Sequence, residues 1–88
     1  MLGGMPVAEP KAVKTSAKAE DMLRFDLEAE TETIHHYRQR VGQCEALGEY
    51  AVAEHIRDIL VQEQEHQMDL AMALGEDVPD VSKPNERA

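Results

Sequence analysis

The 88-residue chain is poor in aromatic residues, with no tryptophan, two tyrosines and one phenylalanine. Its hydrophobic content of 42% therefore comes mostly from alanine, leucine, valine, isoleucine and methionine. A chain of this length lies near the lower limit for a self-sufficient core, because domains below about 70–80 residues rarely gain more than roughly 3–5 kcal/mol from one. We therefore expect the chain to associate with a second copy or with another partner.

Other scarcities exclude whole classes of function. Cys44 is the single cysteine, so no internal disulfide forms, which favours an intracellular location. No apolar run reaches the roughly 20 residues of a membrane span, and residues 1–19 lack the apolar core of a signal peptide. The chain has nine basic and 18 acidic residues, and its net charge of −9 disfavours nucleic acid and anionic membranes as partners. We predict a cytoplasmic protein whose acidic surface serves solubility or attracts cations.

Proline and glycine mark the start of the chain, and a long helix is predicted to follow them. Residues 1–16 hold two glycines and two prolines, which indicates an extended N-terminal arm ending at a Thr15 or Ser16 helix cap. Over residues 17–46 apolar side chains recur at spacings of three, four and seven, which is typical of one face of an amphipathic helix. The residues on this face are Leu23, Leu27, Ile34, Tyr37, Val41 and Cys44.

A second helix is predicted over about residues 49–74, after a tight break at Leu47-Gly48. Gly75 stands where a C-cap glycine belongs, and Pro79 prevents the helix from continuing. Residues 76–88 are polar and are expected to form a flexible tail. The apolar face of this helix carries Val52, Ile56, Ile59, Leu70 and Ala73.

These two helices, with no strand alternation anywhere, predict an all-α antiparallel hairpin over residues 17–75. Both helices are roughly 40–45 Å long at 1.5 Å per residue, and the turn between them is short. A hairpin alone leaves each apolar face half covered. Pairing of two hairpins into a four-helix bundle is the simplest way to cover both faces, so we predict a homo-oligomer that is at least a dimer.

Three polar residues interrupt the apolar faces. Glu63 and His66 are three residues apart, so they lie on one face of the second helix. Glu30 lies three residues after Leu27 and four before Ile34 on the first helix. Buried carboxylate and imidazole groups cost free energy unless something pairs with them. A metal ion is the best-known partner of a Glu-x-x-His step in helix bundles.

The three polar residues are also predicted to lie at one height. Glu30 is about 17–18 residues before the turn, Glu63 about 15–16 after it and His66 about 18–19 after it, so their heights agree to within about 3 Å. Two hairpins related by a two-fold axis would offer four carboxylates and two imidazoles, enough for a di-metal centre shared between two chains. Oxygen and nitrogen ligands suit iron or manganese, and zinc could compete.

The chain from Leu2 to Leu74 resembles the second half of bacterioferritins and related ferritin-like proteins. Leu2-Gly3-Gly4-Met5-Pro6 is similar to the segment that leaves the second bundle helix of that family. Met22-Leu23-Arg24-x-Asp26-Leu27-x-x-Glu30 is similar to the start of the third helix, and the stretch from Gly48 to Leu70 to the fourth. The helices that would correspond to the first half of the bundle are not part of this sequence.

The resemblance implies a ferritin-like four-helix bundle and a di-iron ferroxidase, which oxidises Fe(II) with O2 for iron storage or detoxification. On that resemblance Glu30 and Glu63 would be bridging or terminal carboxylate ligands, and His66 a terminal nitrogen ligand. Tyr37 matches the position of a tyrosine that lies beside the di-iron centre, which makes it a candidate catalytic residue. The methionine that ligates haem in bacterioferritins belongs to the missing second helix, so no haem is expected.

The competing hypothesis is a non-catalytic helical dimerisation module, or a truncated ferritin half, without metal turnover. In it Glu30, Glu63 and His66 share protons and hydrogen bonds, and Tyr37 is a core residue with its hydroxyl at the rim. The remaining histidines fall off the ligand face and are expected to be exposed; they are His35, His36 and His55.

Overall fold

The computed structural model describes residues 16–83, which form two α-helices joined by a short turn, with no strand among them. Helix α1 spans Ala17–Ala46 and helix α2 spans Tyr50–Leu74. The predicted all-α helical hairpin is therefore confirmed. Most of the predicted N-terminal arm and residues 84–88 lie outside the described residues. Neither helix of the described part has the length and apolarity needed to cross a bilayer.

Local signals in the sequence set the helix ends. The Ser16 hydroxyl accepts a hydrogen bond of 3.1 Å from the backbone N–H of Ala19 and so caps α1. Gly75 ends α2 in the left-handed conformation, with φ of 70°, and its N–H donates to carbonyls of the last turn. Gly48 turns the chain between the helices with φ of 77°, a value that strains residues with a side chain.

The surface of α2 that packs against α1 is only partly the predicted apolar face. Ile56 belongs to both, but Val52 is 46% exposed and Ala73 is exposed as well. Two alanines of α2, Ala53 and Ala71, are completely buried, whereas the larger Val52 keeps much of its surface in solvent. The buried residues of α2 are Ala53, Ile56, Gln67 and Ala71, and those of α1 are Leu27 and Ile34. A large part of the predicted face is therefore left open.

The segment after α2 lies against the hairpin. Arg24 of α1 donates a hydrogen bond to the carboxylate of Glu76, which ties the start of this segment to the first helix. Further on, Val81 is only 8% exposed. We predicted residues 76–88 as a flexible tail; their mobility stays a prediction, but a buried valine gives part of this segment a packing role.

Asp80 and Ser82 form local hydrogen bonds within the same segment. Hydrogen bonds from the hydroxyl and the backbone N–H of Ser82 lower the pKa of Asp80, and the charge of Arg38 on α1 lowers it further. Both hydrogen bonds join residues two positions apart, so they order the chain locally around Asp80.

Candidate metal centre

Glu30 of α1 and the pair Glu63 and His66 of α2 face one another across the hairpin. One ligand atom from each residue lies within 4.8 Å of the others. The helices run antiparallel from a shared turn and rise equally per residue, so residues at equal distances from the turn become neighbours. The structure therefore brings together all three residues that the sequence predicted at one height.

The three side chains differ in their exposure to solvent. Glu30 and Glu63 are half-buried, whereas His66 is exposed. The cluster is thus closed on the side of the carboxylates and open on the side of the imidazole. A hydrated ion can reach His66 from solvent, and a partner that covers this side would complete the enclosure.

Glu30 has an unusual environment for a carboxylate. Its Oε2 atom is buried and has no hydrogen-bond partner among the described residues. Burial is the main reason that the pKa of Glu30 rises to about 7; a hydrogen bond with the Glu63 carboxyl and the charge of Glu63 raise it further, and His66 lowers it. When both carboxylates are ionised neither can donate, so either a proton or a cation has to lie between them.

This set of donor atoms fits a divalent metal ion. Two carboxylates and one imidazole are ligands that iron and manganese accept. A cation beside Glu30 would supply the missing partner of its buried oxygen and would let both carboxylates ionise. Within residues 16–83 no second group of three or more potential ligand residues lies this close together.

Comparison with known families gives the same indication. The sequence model of the Ferritin-like domain matches residues 1–77, which is most of the chain. The chain belongs to the ferritin-like family. No curated protein and no solved structure shows significant similarity to it. Members of this family generally bind iron, which is one of the metals that the donor set can accept.

A depression of about 450 Å³ opens beside Glu30 and His66, two of the three candidate ligands of the ferritin-like chain. Two additional acids line it that were not predicted from the sequence, Asp26 and Asp69. Asp26 lies four residues before Glu30 and Asp69 three after His66, and this helical spacing was the signal that could have indicated them. The lining residues are Asp26, Ala29, Glu30, Thr33, His66, Asp69 and Leu70.

A partly buried hydrogen bond next to the candidate ligands was not predicted from the sequence. Gln67 is 1% exposed, and its Nε2 donates to the Thr31 hydroxyl oxygen over 3.0 Å. The Thr31 hydroxyl in turn donates to the backbone carbonyl of Leu27 over 2.8 Å. The sequence offers only one indication of this bond, the glutamine directly after His66. Because an isolated glutamine is usually exposed, this position does not predict a buried amide.

Tyr37 and the other histidines stay apart from the three ligand residues. Tyr37 is half-buried and lies two helical turns beyond Glu30, roughly 10 Å along the axis. It does not line the depression, and its catalytic role stays a prediction. His36 and His55 are exposed, as expected, whereas His35 is half-buried.

Proposed function

We propose that this ferritin-like chain binds iron between two paired hairpins and oxidises Fe(II) with O2. Two observations at one place carry the proposal: one ligand atom each of Glu30, Glu63 and His66 lie within 4.8 Å of one another, and Glu30 Oε2 is buried without a hydrogen-bond partner. In a chain of this family, such a set of donors is most simply a site for iron. The biological role would be iron storage or detoxification.

Pairing with a second copy follows from the number of ligands. One hairpin supplies three, whereas di-iron carboxylate bundles use four carboxylates and two imidazoles. Val52, Ile59 and Leu70 lie on the face of α2 that carries Glu63 and His66, and each of the three keeps part of its apolar surface in solvent. A two-fold axis along this face would cover that surface and would bring two ligand sets together.

Fe(II) is the substrate in this proposal. Two Fe(II) ions supply one electron each, and O2 takes up two electrons and two protons and leaves as hydrogen peroxide. The chain contributes binding and proton exchange. Glu30 and Glu63 hold the cations through carboxylate oxygens and His66 through an imidazole nitrogen, while the proton displaced from the carboxylate pair passes to solvent on the open side.

Oxidation of Fe(II) by the metal-stripped chain in air, followed by the absorbance of Fe(III), tests the proposal. Glu63→Ala should abolish rapid oxidation while circular dichroism shows intact helices, because it removes one of the converging carboxylates. Glu65→Ala is the matched control, since Glu65 is an exposed glutamate on the same helix outside the ligand group. An unchanged rate in Glu63→Ala, or equal losses in both variants, would refute the ferroxidase proposal.

The competing function is a helical dimerisation module without metal turnover. Large exposed apolar side chains favour it, among them Phe25 and Met72, because they support association whether or not metal binds. It predicts that Glu30→Gln keeps or raises thermal stability in metal-free buffer and that Fe(II) changes neither protein. A stability gain on adding Fe(II) that is lost in Glu30→Gln would contradict it.

A further inference from the structure

We propose that Gln67 and Thr31 are positioning residues for the metal centre. Their hydrogen bond fixes the register of α1 against α2 and thereby sets the separation of Glu30 from the two ligand residues on α2. The inference rests on the proposed function, and it assigns a specific task to a hydrogen bond between buried Gln67 and half-buried Thr31.

The bond between Gln67 and Thr31 has one defined geometry. The Thr31 hydroxyl proton is used on the Leu27 carbonyl, so its oxygen is left to accept from the Gln67 amide. Gln67 is the one buried polar residue in the part of the chain that the structure describes. A buried amide that loses its partner costs free energy, so any displacement of the helices that breaks this bond is opposed.

The other contacts between the helices constrain register less. Ala53, Ala71 and Ile34 are buried and pack without directional preference. An ion pair between Arg57 and Glu45 joins the helices near the turn, but both side chains are about half exposed and such pairs contribute little. The hydrogen bond between Gln67 and Thr31 is therefore the principal directional link beside the site.

Register matters at this site because metal ligands tolerate small errors only. A shift of one residue moves a ligand by about 1.5 Å along the axis, whereas ligand distances in metal sites hold to about 0.2 Å. Thr31 follows Glu30 directly and Gln67 follows His66 directly. The constraint thus acts within one residue of a ligand on both helices, where it is most effective.

Binding of Co(II) alone to the metal-stripped full chain tests the inference through affinity and visible absorption spectrum. Gln67→Leu and Thr31→Val remove the bond at nearly constant volume, and each should weaken Co(II) binding about tenfold and alter the spectrum. Their combination should be no worse than either, because both remove the same bond. Thr31→Ser keeps the hydroxyl and should restore wild-type affinity.

Gln64→Leu is the matched control, since it removes the same amide from a half-buried position on the same helix. Thermal unfolding without metal identifies variants that are unfolded at the assay temperature. If Gln67→Leu is unfolded, the comparison of Co(II) binding between Thr31→Val and Thr31→Ser tests the positioning role instead. If the wild type does not bind Co(II), the proposed function and the positioning role both fall. If it binds and the variants match it in affinity and spectrum, only the positioning role is refuted.

Discussion

His66 and Gln67 are adjacent in the chain and have opposite surroundings. Gln67 is almost completely buried and hydrogen-bonded to α1, whereas His66 is exposed. Neighbours on a helix point about 100° apart, so one residue can lie in the interface between two helices while the next lies outside it. The hairpin has a closed face, with Ile34, Ala53 and Gln67, and an open face, with Val52 and His66.

The two faces differ in whether their buried polar atoms have a partner within the chain. On the closed face the one buried polar side chain finds its partner within the chain. On the border of the open face the buried oxygen of Glu30 finds none among the described residues. A buried polar group without a hydrogen-bond partner is rare in proteins, because leaving it unpaired costs free energy. A bound ligand that contacts the group removes this cost. The closed face holds the helices together, and the open face is the one on which we propose that a metal and a second chain bind.

The largest effect is expected from a cavity in the closed face. Ile34 is completely buried, so Ile34→Ala should cost about 2–5 kcal/mol, enough to unfold a small domain at moderate temperature. Val52→Ala on the open face should cost less than about 1 kcal/mol as long as the chains are unpaired. Urea unfolding of both variants, metal-free and at a protein concentration low enough to keep the chains apart, measures the difference. Equal losses would mean that the two faces are equally covered.

A charge on the open face should separate two paired chains. Ile59 lies one helical turn before Glu63, and Ile59→Lys should weaken dimer formation more than about tenfold, because it desolvates like charges across a two-fold interface. Val61→Lys is the control, since Val61 is exposed on the other side of α2. Sedimentation at several concentrations reads the result. If both variants stay as associated as the wild type, pairing does not use the open face.

The pH dependence of thermal stability should show the raised pKa of the Glu30 carboxyl. Its pKa of about 7 in the folded chain lies above its ordinary value of 4.5, so folding favours the protonated form. This contribution is fully present below about pH 4.5 and is lost as pH rises through about 7. Iron binding has the opposite dependence, because the cation displaces that proton.

We therefore expect the metal-free wild type to lose thermal stability between about pH 5 and pH 8. Glu30→Gln should lose less, because its neutral amide does not titrate over this range. Thermal unfolding by circular dichroism at both pH values provides the measurement, with the chain stripped of metal. Parallel pH profiles for the two proteins would show that Glu30 is ionised normally.

The smallest effect is expected at Tyr37. Because Tyr37 lies about two turns from Glu30, Tyr37→Phe should slow Fe(II) oxidation by no more than about tenfold and leave Fe(II) binding unchanged. Tyr50→Phe is the control, since Tyr50 is exposed at the start of α2. Rates from stopped-flow absorbance that do not differ between the two variants would remove Tyr37 from the catalytic residues.

The sequence predicted those features that depend on local signals or on counting residues. The serine cap and the C-cap glycine act within one turn, so their effect on the helix ends can be derived from neighbours alone. The convergence of Glu30 with Glu63 and His66 follows from the equal rise of two helices away from one turn.

Features that depend on packing between distant segments were not predictable in this way. The apolar part of α2 is wide, and periodicity alone selected Val52, although the alanines at positions 53 and 71 are the completely buried ones. The hydrogen bond between Gln67 and Thr31 joins residues 36 positions apart. The burial of Val81 likewise depends on the path of the segment after α2, for which a polar sequence offers no periodic signal.

Native mass spectrometry of the metal-stripped chain, titrated with Fe(II) without oxygen, tests the central claim most directly, because it counts chains and iron ions in one complex. We predict a species with two chains and two iron ions, and its loss in Glu63→Ala but not in Glu65→Ala. A dimer that takes up no iron, or iron held by single chains, would contradict a metal centre shared between two hairpins.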